Sequence, residues 1–216
     1  MVNTCRNLNN GYPLYANIFA QNLEEMRRIV EIAGVILTLS LARLLMQVPN
    51  LEPIGAAALF GGALIGAKRL KFILPLAALF LGDLIIAAIQ PAYVEHLFSG
   101  TFFAIYGAFA LTVLIGDRVI GKKPGVLKVV NGAIFSSVAF FVITNFAAWL
   151  DPVHSIYPKT FMGLMECYIA GLAFFDQSLF GNFFLNSLMG NLGFSLLVFS
   201  LYKAYETRFA TNETIA

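Results

Sequence analysis

The sequence predicts an all-α membrane protein: a six-transmembrane-helix bundle with an extra interfacial helix between the fifth and sixth crossings. Three observations predict it. Of the 216 residues, 59% are hydrophobic and 12% charged, a balance that no soluble domain of this size shows. The apolar residues gather into six runs, Ile29–Val48, Pro53–Ala67, Phe72–Gln90, Phe102–Ile120, Val126–Leu150 and Leu179–Tyr202. Five of these approach the roughly 20 residues a helix needs to cross about 30 Å of hydrocarbon. Finally, the cations alternate. Lys and Arg at 6, 27, 28, 68, 69, 71, 118, 122, 123, 128, 203 and 208 fall in every second connection, whereas Val48–Pro53, Gln90–Thr101 and Leu150–Ser178 hold only Lys159. Basic loops remain cytoplasmic, so both termini are expected inside.

Residues 1–26 are polar and lack the apolar core and cleavage site of a signal peptide, so they read as a loose cytoplasmic tail. The membrane domain covers 27–203, and 204–216 form a second cytoplasmic tail. In the first helix, Ser40, Arg43 and Gln47 share one face. An arginine at a helix centre costs about 2.5–3.5 kcal/mol, and less near the interface. Arg43 therefore snorkels to the outer headgroups, pairs with Asp83, or faces the interior to hold an anionic or carbonyl group. The opposite face carries Gly34, Thr38 and Ala42, small residues that permit close packing within the bundle or against a partner helix.

The second run is short. As a re-entrant segment it would place Lys68, Arg69 and Lys71 outside, so the charge pattern makes it a span, with Pro53 in its first turn. Gly62 and Gly66 add a small-residue face to it. In the third, Asp83 shares a face with Gln90; a carboxylate in hydrocarbon pairs, is protonated or lines water. The fourth ends in a stretch from Gly116 to Lys123 that nearly spells a phosphate-binding loop. Lys123 stands where Ser or Thr is required and no strand precedes it, so the chain is not expected to hydrolyse ATP itself.

The fifth helix carries Ser137, Phe141, Asn145 and Trp149 at spacings of four, with Thr144 beside them. Trp149 alone would be an interfacial aromatic, but Asn145 has four bonding capacities to satisfy in lipid. The stretch Thr160–Phe175 would break the charge alternation if it crossed, so it is expected to lie at the outer interface. The outer loops add Asn50, Glu52, Tyr157, Phe161, Glu166 and Tyr168. Most membrane-embedded polar groups thus lie near one mouth, as in a ligand pocket with aromatic walls and a few hydrogen-bonding groups.

Other chemistry finds little support. A net charge of +2 without a basic patch gives nucleic acid nothing to bind. The two histidines, His96 and His154, lie on different loops, and no metal-spaced cluster or nucleophile–base set can be assembled, so no enzyme and no cofactor is expected. Cys5 and Cys167 fall on opposite sides of the membrane and cannot pair.

Two stretches carry a resemblance. Pro49-Asn50, Pro53-Ile54-Gly55-Ala56 and Leu59-Phe60-Gly61-Gly62 form the first; Phe140 to Phe146 with Trp149, then Tyr157-Pro158-Lys159-Thr160, Gly163-Leu164, Cys167-Tyr168 and Phe174-Phe175, form the second. Over about Arg28 to Leu201 the chain resembles an uncharacterised family of small bacterial membrane proteins grouped with the substrate-binding (S) subunits of energy-coupling factor transporters. Ala173 departs from that pattern, standing where the family tends to have Pro, as does the small-residue stripe of the first helix, which puts the coupling face in doubt.

The resemblance implies a protein of the bacterial inner membrane that captures a small organic micronutrient (a vitamin, precursor or base) at its outer face. A membrane coupling subunit and two cytoplasmic ATPases would drive uptake. Val2 stands where nickel and cobalt members have histidine, which disfavours metal cargo. The expected cargo contacts are Arg43, Gln47, Asn50, Phe60, Asp83, Phe141, Thr144, Asn145, Trp149, Tyr157, Glu166 and Tyr168. The rival readings are a stand-alone carrier driven by protons through Asp83, a membrane enzyme acting on lipid, and a non-transporting membrane partner.

Overall fold

A computed structural model describes residues 12–46, 50, 51, 53–152, 155–172 and 182–213. All regular structure among them is helical. The α-helices are α1 (Tyr12–Ala42), α2 (Ile54–Leu64), α3 (Leu70–Ile89), α4 (Gly100–Ile115), α5 (Val126–Leu150), α6 (Phe161–Leu172) and α7 (Phe183–Glu213). Four helical stretches are long and apolar enough to cross a membrane: Leu70–Ile89, Gly100–Ile120, Val126–Leu150 and Phe183–Arg208. Each keeps only about a third or less of its apolar window buried inside the protein, as expected where lipid is the solvent for the remaining face.

The two remaining apolar runs depart from the expected spans. α1 begins at Tyr12 rather than near Ile29, so much of the expected loose tail is helix. It ends at Ala42, earlier than expected, and a 3-10 turn, Arg43–Leu45, follows. Only 29–42, about 21 Å of rise, is both apolar and α-helical. The N-terminal half instead runs beside the end of α7. There Arg28 bridges Glu206 at 3.2 Å and donates to the Tyr202 hydroxyl at 3.0 Å, while Tyr205 donates to Glu31 at 3.1 Å.

Helix α2 has 11 residues, about 16 Å, and ten of them are buried. It is the axis of the bundle, touching α1, α3, α4, α5 and α7. Its composition explains the position. Ile54-Gly-Ala-Ala-Ala-Leu-Phe-Gly-Gly-Ala-Leu64 has no polar side chain to solvate and mostly small ones, so neighbouring backbones come close on every side. A Cβ built on Gly62 would sit well inside van der Waals contact with the Val113 carbonyl of α4. One on Gly116, just after α4, would do the same to the Leu59 carbonyl of α2. The two glycines form a reciprocal backbone contact between antiparallel segments. Phe60, expected to touch cargo, is fully buried here instead, edge-on to Phe199 and Tyr202 with ring centroids 5.3 Å apart. It is a core residue because its ring is turned toward α7 and enclosed there.

After α4 the helix widens into a π turn, Gly116–Ile120, closed by the Gly121 N–H on the Gly116 carbonyl at 2.9 Å. Gly121 sits at φ +65, a left-handed conformation that costs glycine nothing. The near-miss phosphate loop is therefore a helix terminus. Lys71 on α3 reaches across to Asp117 at 2.6 Å and ties α3 to this turn. Among the expected small-residue faces, that of α2 packs inside the bundle at Gly62, whereas a methyl added to Gly34 on α1 would meet nothing within 4 Å, and Thr38 bonds back to the Gly34 carbonyl at 2.8 Å. Gly34→Ala is accordingly expected to leave the thermal midpoint in detergent unchanged within about 2 °C.

Candidate functional site

The polar groups divide into two sets. The first is an ionic cluster where α1, α3 and α4 meet. The Arg43 guanidinium lies 3.0 Å from Asp83 Oδ1, with side chains only 10% and 4% exposed. The same oxygen accepts from the Tyr93 hydroxyl at 3.0 Å, and Oδ2 accepts from the Tyr106 hydroxyl at 2.6 Å. Phe80 and Phe102 pack on Tyr106 and shield the cluster. Gly82 packs beside it, where an added methyl would meet Arg43 Cδ at 3.6 Å and the Ser40 carbonyl at 3.7 Å in ordinary van der Waals contact. Three donors engage both oxygens of the carboxylate, the added hydrogen bonding that a buried ion pair needs to offset its desolvation. Neither Arg43 nor Asp83 lines a described hollow. The structural pairing that the sequence also allowed is present.

Tyr93, on the 3-10 turn Pro91–His96 beyond α3, feels this cluster. Burial raises its pKa to about 12, the charge of Asp83 adds to the rise, and Arg43 opposes it. The fold favours the protonated phenol, so this contribution is intact below about pH 10, the unfolded value, and is lost as pH climbs from 10 through 12. The thermal midpoint of the wild type is expected to fall across that window, and Tyr93→Phe to make the fall shallower.

The second set lines a hollow among α2, α4, α5, α6 and α7. Its inner chamber, about 50 Å³, is bounded by Asn50, Ile54, Gly55, Phe109, Thr112, Ser136, Ser137, Phe140, Ser187 and Asn191. An outer chamber of about 230 Å³ is bounded by Asn50, Thr101, Phe140, Phe141, Thr144, Asn145, Ala148, Gly171, Phe183, Phe184 and Ser187. Asn50, Phe140 and Ser187 belong to both, so the chambers adjoin. Both are smaller than the roughly 300–1,000 Å³ of most small-molecule sites.

Helical register builds this lining. Ser137, Phe141 and Asn145 on α5 recur every four residues, as do Ser187, Asn191 and Ser195 on α7. The two stripes face each other. Asn191 donates its amide to Ser136 Oγ at 2.7 Å, Ser137 Oγ at 3.2 Å and the Ala133 carbonyl at 3.1 Å, and its Oδ1 accepts from Ser195 at 3.4 Å. Gly55 leaves the room for it, because a methyl there would lie 2.8 Å from Asn191 Oδ1. Further out, the Phe141 ring meets Phe184 at 5.0 Å and Tyr168 at 5.7 Å. Gly171 on α6 lets Asn145 and Phe141 approach, its methyl position falling 2.7 Å from Asn145 Oδ1. Asn50, at φ 59, holds the left-handed turn ahead of α2 that asparagine tolerates better than most residues.

The remaining expected contacts lie elsewhere. Trp149 donates its indole N–H to the Pro158 carbonyl at 2.9 Å and packs beside Phe146, while Lys159 sits over its ring. Lys159 also donates to the carbonyls of Trp149 and Asp151, closing the end of α5. The pair is a helix stop. Tyr168 donates to the Val142 carbonyl at 2.9 Å and borders an apolar groove outside the hollow; Tyr157 borders another groove. Glu166 is exposed and lines none of these spaces. Gln47 and Glu52 lie outside the described residues.

Sequence reasoning passed over Thr112, Ser187 and Asn191, although Ser187, Asn191 and Ser195 carry the same four-residue signal that singled out Asn145. It also passed over Tyr93 and Tyr106, which only the fold brings to Asp83. Among the described residues no group of three metal-ligating side chains occurs.

Residues 23–212 match the model of a family of unknown function, DUF6580, and the chain belongs to that family. No curated protein and no solved structure matches it.

Proposed function

We propose that this protein is a substrate-binding subunit of an uptake system, capturing a small organic micronutrient from outside the cell in the hollow between α5 and α7. The observation that carries the reading is the hollow itself: asparagine, serine and threonine side chains and phenylalanine rings gathered among apolar helices around adjoining chambers. Polar side chains in hydrocarbon are costly and mark ligand or ion paths. The short α2 supports it as well, since a helix that starts inside the membrane leaves non-helical backbone, tolerable only beside protein or a cavity. The two signature stretches supply Asn50 and Gly55, and Phe140, Phe141, Thr144 and Asn145, to that lining.

In this reading the chain crosses six times, with α2 and its flanking segments as the second crossing and α6 at the outer interface. Both termini are cytoplasmic, as the cations at 28, 68, 69, 122 and 123 imply, and the membrane is the inner membrane of a bacterium. Among the described residues no phosphate-binding loop is present, so partner subunits supply the ATPase: a membrane coupling protein and two cytoplasmic ATPases.

The test is purification of the tagged protein from its native host, with mass spectrometry of copurifying proteins and small molecules, then uptake assays with the molecule found. An ATPase pair is expected to copurify. Thr144→Val with Asn145→Leu is expected to cut uptake about tenfold, the loss that one net hydrogen bond's worth of binding gives. Uptake by the chain alone in vesicles, abolished by Asp83→Asn, would instead establish the proton-driven carrier. The closed Arg43–Asp83 cluster speaks against that outcome.

A further inference from the structure

The chemistry of the hollow narrows what it takes. Among the described residues, every side chain bounding the two chambers is neutral; no Asp, Glu, Lys, Arg or His contributes to either. The embedded charges Arg43 and Asp83 neutralise one another among α1, α3 and α4. A ligand carboxylate, phosphate or ammonium would enter the hollow without a counter-charge, a heavily penalised transfer.

The hydroxyls carry a second message. Thr112 donates to the Ala108 carbonyl at 3.0 Å, Ser136 to Ala133 at 3.1 Å and Thr144 to Phe140 at 2.8 Å. Their protons are spent on their own helices, and Asn145 spends one amide hydrogen on the Phe141 carbonyl at 2.9 Å. What these groups retain is mostly oxygen lone pairs, which are acceptors. The walls between them, Phe140, Phe141 and Phe184, are flat.

Resting on the reading above, we infer that the hollow selects a molecule that is uncharged at neutral pH, planar, and rich in N–H or O–H donors, such as a neutral amide-bearing heterocycle. Anions and cations of the same shape are rejected because no described residue of the lining carries a compensating charge. A purely apolar ring binds less well because it leaves the remaining lone pairs of the serine, threonine and asparagine oxygens without a donor.

The experiment uses the full chain in lipid nanodiscs, dialysed against a polar metabolite extract of bacterial cells at pH 7, with the retained molecules identified by mass spectrometry. The same is done with Ser187→Phe, which fills the junction of the two chambers, and with Ala148→Phe, which fills the outer one should the first variant fail to fold. Benzamide, benzoate and benzamidine, three rings of one shape and different charge, are then compared as competitors. Retained molecules that are uncharged and lost from the blocked variants support the inference, with benzamide displacing them at a concentration about a hundredfold below either charged analogue. Retention of charged molecules, dependent on the open hollow, overturns the selectivity and leaves the uptake reading standing. Equal retention by the blocked variants overturns the assignment of the site. No retained molecule at all overturns the uptake reading along with the inference.

Discussion

Gly62→Ala is expected to prevent the bundle from assembling. The added methyl would drive into the Val113 carbonyl, an oxygen fixed in the hydrogen-bond ladder of α4, so no rotamer change relieves the contact. Overpacking that side chains can absorb typically costs about 1–3 kcal/mol. Here two helix axes must separate, and the loss is expected at or above the upper end of that range. Gly116→Ala should behave alike, because its methyl meets the Leu59 carbonyl from the other side. Yield of monodisperse protein in mild detergent and the thermal midpoint are the measurements. Gly34→Ala is the control, since it adds the same methyl to open space. If Gly62→Ala purified with a wild-type midpoint, the close α2–α4 contact would be wrong.

Asp83→Asn is the second large effect. It keeps the shape of the side chain and removes the counter-charge of Arg43 in a site where the pair is about nine-tenths buried. Removing one partner of such a pair typically costs about 3–5 kcal/mol, which for a chain of this size is roughly 10 °C in the midpoint. The double variant Arg43→Gln/Asp83→Asn replaces the charges with amides that can bond to each other and to Tyr93 and Tyr106, and it should recover most of the loss. Retention of cargo by the double variant should match wild type, because neither residue lines the hollow. A double variant as stable as wild type yet devoid of cargo would return Arg43 and Asp83 to the binding site.

The residues that were legible in the sequence, and those that were not, differ for a physical reason. Membrane embedding, the long apolar helices α3, α4, α5 and α7, and the polar stripe of α5 follow from composition and from one-dimensional periodicity, which lipid enforces without reference to tertiary contacts. Asn145 was legible because an amide in hydrocarbon is conspicuous alone. Asn191 was equally conspicuous on the same rule. By contrast, the partners of Asp83 sit 10 and 23 residues downstream on separate elements, Tyr93 on a surface turn and Tyr106 inside an apolar helix. Either tyrosine alone reads as an interfacial aromatic. The burial of Phe60 was hidden for the opposite reason: an aromatic between small residues looks the same whether its neighbour is cargo or Phe199. The burial of α2 on nearly every side was hidden too, because an apolar run shows where water is excluded and says nothing of whether lipid or protein excludes it.

That shortness bears on biogenesis. Eleven residues are too few for the insertion machinery to recognise and release as an independent membrane anchor. Several neighbours that enclose them arrive late: α2 ends at Leu64, α4 begins only at Gly100, and α7 only at Phe183. The nascent chain therefore has to hold its own central pillar provisionally, beside the translocon or against α3, until the ribosome has finished the C-terminal half. Truncations that lack α7 should for that reason be cleared by membrane proteases, however well their remaining helices insert.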